Sequence, residues 1–182
     1  MNKKLIRLDY ISVIIVLTLV SLAVWSRLVP HPANVTALTA VALLAGSVLP
    51  KRWALIAPLL AIISSDLIIG LHSLVYVTWG SFAIIALIGM RMNTISPKNV
   101  IVASLLSSTL FFIVTNAAVW LEGRMYQMTF EGLMQCYINA LPFYRNMLAG
   151  DLLYSGVIFG LYVYTMKLAQ THITISQQSL TR

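Results

Sequence analysis

An all-α integral membrane protein that crosses the bilayer six times is the fold class this sequence predicts, and three observations carry it. The 182 residues are 59% hydrophobic and only 9% charged, with a mean hydropathy of +0.88, whereas about a quarter of the residues of soluble domains are charged. Apolar residues gather into runs close to the roughly 17–25 residues that a helix needs to cross a ~30 Å hydrocarbon core. Lys and Arg stand mostly at the ends of those runs, with a strong bias to alternate loops.

The first run covers residues 9–26 and stops at Arg27, where Pro30-His31-Pro32 forbids continuation of the helix. A short second run, 34–49, ends at Pro50-Lys51-Arg52. The third, 53–69, ends at Gly70, and the fourth, 75–90, ends at Arg91. Ile95-Ser96-Pro97-Lys98 reads as a turn with proline at the first helical position, opening a fifth run over 98–120. Residues 122–142 are too polar to span and too apolar for a plain loop. Their Phe130, Leu133, Met134, Tyr137 and Ile138 recur at helical spacing, which predicts a short interfacial helix before the last span. The sixth run is 143–166, followed by a tail carrying Gln170, Thr171, Ser176, Gln177, Gln178 and Ser179 that is expected to fray. No repeat and no linker divides the chain, so residues 1–182 read as a single transmembrane domain.

Basic residues in short loops are retained on the cytoplasmic side during insertion. With the N-terminus inside, Lys3, Lys4, Arg7, Lys51, Arg52, Arg91, Lys98, Lys167 and Arg182 are cytoplasmic, nine of the twelve, and Arg27, Arg124 and Arg145 are outside. Six spans then return the C-terminus to the cytoplasm. The expected location is the inner, cytoplasmic membrane of a bacterium, with the first run kept as a span rather than removed as a signal peptide. The net charge of +7 is thereby explained by topology; scattered basic residues without a stripe or interleaved aromatics do not point to nucleic acid. Cys136 is the only cysteine, which excludes an intrachain disulfide.

Polar groups within or beside the spans carry the functional information, because an ionisable side chain in hydrocarbon is costly unless paired or hydrated. Asp66, Asn116, Arg145, Asn146 and Asp151 fall at similar depth toward the outer side, with His31, Asn34, His72, Glu122, Arg124, Glu131 and Cys136 above them. A purely structural role, with Asp66 and Asp151 pairing Arg145 or capping helices, weighs equally for the aspartates. Trp120, Tyr126, Tyr137 and Tyr144 suit an interfacial aromatic belt. Enzymatic templates are missing: no His-Glu-x-x-His, Gly-x-Ser-x-Gly, glycine-rich phosphate loop or Cys-x-x-Cys occurs. An aspartyl pair of Asp66 and Asp151 has no supporting flanks, and the spacing of His31, His72 and Cys136 does not support a metal site. No catalytic residue, metal or cofactor is therefore expected.

The stretches Leu28-Val-Pro-His-Pro-Ala-Asn-Val-Thr, Ala-Leu-Leu-Ala-Gly at 42–46, Ser65-Asp-Leu-Ile-Ile-Gly-Leu-His72, Phe112-Ile-Val-Thr-Asn-Ala-Ala-Val-Trp120 and Cys136-Tyr-Ile-Asn-Ala-Leu-Pro-Phe-Tyr-Arg-Asn-Met-Leu-Ala-Gly-Asp151 resemble an uncharacterised family of small bacterial inner-membrane proteins. The short second span with its glycine, the basic turn and the third span are more distantly similar to the substrate-binding S components of energy-coupling-factor vitamin transporters. That resemblance implies a six-helix bundle with both ends cytoplasmic, a small ligand taken from outside, and an energy-coupling transmembrane subunit with ATPases as partners. S components commonly carry Ala-x-x-x-Ala in the first helix for that docking. Here the motif is Ala57-x-x-x-Ala61 in the third span, which matches a solitary uptake protein better.

The expectation is a membrane uptake protein that binds a small nutrient, a vitamin or cofactor precursor such as a corrinoid, from the outer face. Arg145 would meet an anionic or carbonyl group, and Asp66, Asn116, Asn146 and Asp151 polar edges, with Asn34 of the first outer loop also in the ligand-binding set. Tyr76, Trp120 and Tyr144 would stack on a ring, while His31, His72 and Cys136 would form the lid or contact cobalt. The alternatives are a membrane assembly factor without a small-molecule ligand and an intramembrane enzyme.

Overall fold

The computed structural model describes the backbone of residues 3–180 and the side chains of residue 10 and residues 12–171; the side chains of Lys3, Lys4, Arg7 and Arg182, counted above for topology, lie outside the described residues. Among the described residues there are six α-helices and no strand: α1 (Lys3–Leu28), α2 (Leu38–Val48), α3 (Lys51–Ile69), α4 (Val75–Met90), α5 (Pro97–Leu121) and α6 (Phe130–Leu180). Lys51–Ile69, Pro97–Leu121 and Phe130–Thr171 are long and apolar enough to cross a membrane, and Ser12–Leu28, Leu38–Val48 and Val75–Met90 are shorter apolar helices. Large apolar side chains, including Leu17, Trp25, Leu106, Ile113, Leu153 and Leu161, point outward from the bundle. Apolar residues outside as well as inside are what lipid requires of a protein, and they mark this chain as a membrane protein.

α2 is the centre about which the rest is built. It is 11 residues long, about 16 Å at 1.5 Å per residue, and packs on all five other helices, most extensively on α4. Leu38 to Gly46 are buried without exception. A helix apolar around its whole circumference belongs inside a core, and the second span anticipated over 34–49 is helical only over this enclosed piece. Where α2 meets α4, glycine faces glycine. A methyl group on Gly46 would fall on the Ala86 carbonyl oxygen and 2.9 Å from Gly89 Cα; one on Gly89 would meet the Leu43 backbone, with Leu43 Cα at 3.0 Å. The two backbones therefore touch, as small residues allow in membranes.

Ser96 caps α5 by accepting a bond from the Asn99 N–H at 3.3 Å, with Pro97 as the first helical residue. Residues 122–142 do not contain a separate interfacial helix. From Phe130 they are the opening turns of α6, which is 51 residues long and runs through Pro142 and through the tail expected to fray. The reason is a stripe of small and buried residues that keeps phase across the proline: Gly132, Cys136, Ala140, then Met147, Asp151, Ser155 and Phe159. Packing against α5 outweighs the one hydrogen bond that the ring removes. Ala57 and Ala61 are also fully buried, so this small-residue face packs the protein's own helices and is not free to receive a coupling subunit.

Connectivity sorts the loops into two ends. Residues 29–37, 70–74 and 122–129 lie at one, with Arg27 and Arg124; Lys51, Arg52, Arg91 and Lys98 lie at the other.

Candidate functional site

Every helix contributes to a cavity of about 560 Å³ that opens at the end holding the loops 29–37, 70–74 and 122–129. Arg27 comes from α1, Leu38 and Thr39 from α2, Ile62 and Ile69 from α3, Thr78 and Phe82 from α4, Phe111, Phe112, Thr115, Asn116 and Val119 from α5, and Ala140, Phe143, Tyr144, Met147 and Asp151 from α6. His31, Asn34 and Thr36 line it from the first loop, His72 and Leu74 from the second. This volume is within the range of small-molecule pockets, ~300–1,000 Å³.

The first loop reaches into the bundle. Ser26, fully buried at the end of α1, accepts from the Ala37 N–H at 3.0 Å and donates to the Ala23 carbonyl at 2.8 Å, stitching the entry of α2 to α1. Val35 packs against Gly150, where an added methyl would lie 3.0 Å from Val35 Cγ1. Asn34 adopts a left-handed backbone at φ 65°, a conformation asparagine tolerates better than other non-glycine residues. Beside it the His31 ring lies against the Pro32 carbonyl (2.8 Å) and the Arg27 carbonyl (3.3 Å). His72 Nδ1 accepts from the Leu74 N–H at 3.2 Å.

Two carboxylates sit at the heart of this end, and they are treated differently. Asp66 is 1% exposed. Its Oδ1 accepts from Arg27 Nη1 at 2.6 Å and its Oδ2 from Trp79 Nε1 at 2.7 Å. Arg27 also donates to Ser65 Oγ at 2.6 Å. A buried ion pair whose oxygens are filled on both sides is a closed structural unit, and it stands behind the cavity wall with only Arg27 showing. Asp151 is 2% exposed and lines the cavity itself. Ser108 donates to its Oδ2 at 2.6 Å, and the Thr39 side chain of α2 lies close to it. Among the described residues no basic side chain pairs with Asp151; Arg27 pairs with Asp66, and Arg124 meets Glu122 at 3.5 Å. The pairing of Asp66 or Asp151 with Arg145 does not occur.

Above Asp151 the wall is aromatic. Phe112 and Tyr144 stack with centroids 4.4 Å apart, Phe82 and Phe111 meet at 5.3 Å, and the Tyr144 hydroxyl is bonded to Thr109 Oγ1 at 2.8 Å.

Of the residues singled out from sequence, the cavity lining holds His31, Asn34, His72, Asn116, Tyr144 and Asp151. The others lie elsewhere. Arg145 is exposed on the outer side of α6 and Asn146 is half-buried outside the lining. Tyr76 is exposed, edge-on to Trp79 at 5.6 Å. Trp120 donates to the Gln127 carbonyl at 2.9 Å. Cys136, 1% exposed, is a packing residue between α6 and α5 whose thiol lies 3.4 Å from the Asn116 carbonyl, and no cluster of metal-ligating residues occurs among the described residues. Arg27, Trp79, Thr39, Ser108, Phe111 and Phe112 were not anticipated. Arg27 was recognisable only as a topology marker, although its place at the end of α1 matches the depth of Asp66 near the end of α3.

A family model described as "Family of unknown function (DUF6580)" matches residues 8–173. No curated protein and no solved structure matches the chain, so neither comparison links it to S components.

Proposed function

The chain belongs to DUF6580, a family of unknown function, and we propose that it is a membrane uptake protein that captures a small nutrient from the outer face. In this reading all six helices are membrane segments, with α2 shielded by the others, and both termini are cytoplasmic in a bacterial inner membrane. What carries this reading is that all six helices contribute side chains to one cavity, at the end of the bundle poorer in basic loop residues. The positive-inside bias puts that end outside, where a nutrient arrives. His31 and Asn34 on one loop and His72 on another form the rim, and Asp151 lies deeper, below a wall of aromatic side chains from α5 and α6. Release to the cytoplasm would follow a rocking of the bundle, driven by mass action or by an energy-coupling partner, in the manner of an S component.

Two experiments test the reading. Native mass spectrometry of protein extracted gently from its host membrane is expected to show a stoichiometric small-molecule adduct. A clean spectrum, together with thermal stability unmoved by a vitamin, corrinoid and metal panel, would favour a membrane assembly factor. In a Cys136→Ala background, Arg124→Cys is expected to react with an impermeant maleimide in whole spheroplasts and Lys98→Cys only after lysis; the reverse pattern would invert the topology.

A further inference from the structure

Resting on the capture reading, and naming the ligand it leaves open, we propose that the cavity takes a protonated amine with an apolar or aromatic body, its ammonium group received by Asp151. The ionisable side chains lining the cavity are Arg27, His31, His72, Tyr144 and Asp151. Arg27 is already matched by Asp66 at 2.6 Å, so it does not offer an uncompensated positive charge to an anion. Arg145, the residue that would have selected an anion, faces away from the lining.

Asp151 is the reverse case. Thr39 of α2 and Ser108 of α5 approach it with hydroxyl groups, and no ion pair with Lys, Arg or His from any packed helix is present among the described residues. An ionised carboxylate accepts about four hydrogen bonds, and the Ser108 donor, with Thr39 close by, leaves acceptor capacity on a group that borders the cavity. A buried ionised carboxylate is costly unless it is both paired and hydrogen-bonded. A ligand ammonium supplies the opposite charge together with the missing donors, and the bond so formed is charge-assisted. The surrounding chemistry agrees: the stacked Phe112–Tyr144 pair and the Phe82–Phe111 pair present ring surfaces in the same chamber, and ring faces attract cations while packing against an apolar body. One wall thus recognises the charge and the other the body that carries it.

The test uses full-length protein in detergent and matched probe triads that share one aryl or alkyl body and differ in the head group: phenethylamine, 2-phenylethanol and 3-phenylpropanoate, with a cyclohexyl set alongside. Binding is read by isothermal titration and by the shift of the unfolding temperature. The amine of each triad is expected to bind about tenfold or more tightly than its alcohol, with the carboxylate weakest. Asp151→Asn should erase the preference, while Arg145→Ala should leave it intact. Alcohol or carboxylate binding as tightly as the amine in the unmodified protein overturns the amine assignment and leaves capture standing, whether or not Asp151→Asn folds. Amine affinity unchanged within about twofold in a folded Asp151→Asn protein does the same. No saturable binding by any head group, with no adduct in the native mass spectrum, overturns both.

Discussion

Removing Arg27 should cost far more than removing the charge of its partner. In Arg27→Met the carboxylate of Asp66, 1% exposed in the native protein, keeps only the Trp79 indole at 2.7 Å on Oδ2. Breaking a buried pair in this way costs about 3–5 kcal/mol. Asp66→Asn is milder, because the amide oxygen still accepts from one of the two donors. The Arg27 side chain is 18% exposed, lines the cavity, keeps Ser65 Oγ at 2.6 Å and reaches water. A lost hydrogen bond to a charged group is worth about 1.5–3 kcal/mol, so the two variants should differ by roughly 2 kcal/mol, about thirtyfold in the unfolding equilibrium. Replacing both members, Arg27→Met with Asp66→Leu, should recover most of the loss, less about 1 kcal/mol for the orphaned indole. Unfolding in mixed micelles with increasing dodecyl sulfate, followed by circular dichroism, measures all three. An Arg27→Met protein no less stable than Asp66→Asn would refute the idea that the pair is a closed buried unit.

Gly89→Ala drives a methyl into the Leu43 backbone and to 3.1 Å from Gly46 Cα, and with no rotamer to escape into it should lose about 1–3 kcal/mol or more; Gly156→Ala, which meets nothing within 4 Å, should be neutral or gain up to ~1 kcal/mol from helix propensity, and the same unfolding assay compares them. Ser26→Ala strips the acceptor from the buried Ala37 N–H and should cost about 1–3 kcal/mol, seen as a lowered unfolding midpoint. Cys136, 1% exposed, should resist maleimide in the folded protein and react fully once denatured; rapid native labelling, scored by mass, would place the thiol at an accessible surface.

Much of the helix order was legible because proline, glycine and charge punctuate apolar runs, and insertion demands that pattern. Two boundaries misled for opposite physical reasons. Pro142 looked like a start because proline usually interrupts, yet the stripe from Gly132 through Cys136 and Ala140 continues the face that Met147 and Asp151 share, and lateral packing carries α6 across it. Residues 34–37 read as the start of the second span because they lead straight into its apolar run, but Ser26 and Gly150 hold them as a loop that turns inward. Residue type and depth were enough to point to Asp151, Asn116, His31, Asn34, His72 and Tyr144, which line the cavity. They could not reveal which way a side chain turns around its helix. Arg145 and Asp151 differ by six positions in α6, and that angle alone sends one outward and the other into the cavity.

The enclosure of α2 separates the order in which the chain is made from the order in which it can be completed. A segment of 11 residues reaches about half-way across a ~30 Å hydrocarbon core, and the loop leading into it carries peptide groups that lipid would leave without partners. It emerges from the ribosome second, yet the wall that shelters it includes α4, α5 and α6, which emerge last. Until those helices arrive, the short segment lacks the packing that buries it in the finished bundle. Truncation after α3 therefore yields a species that cellular proteases should clear, and the cavity exists only once the final helix has closed over that short segment.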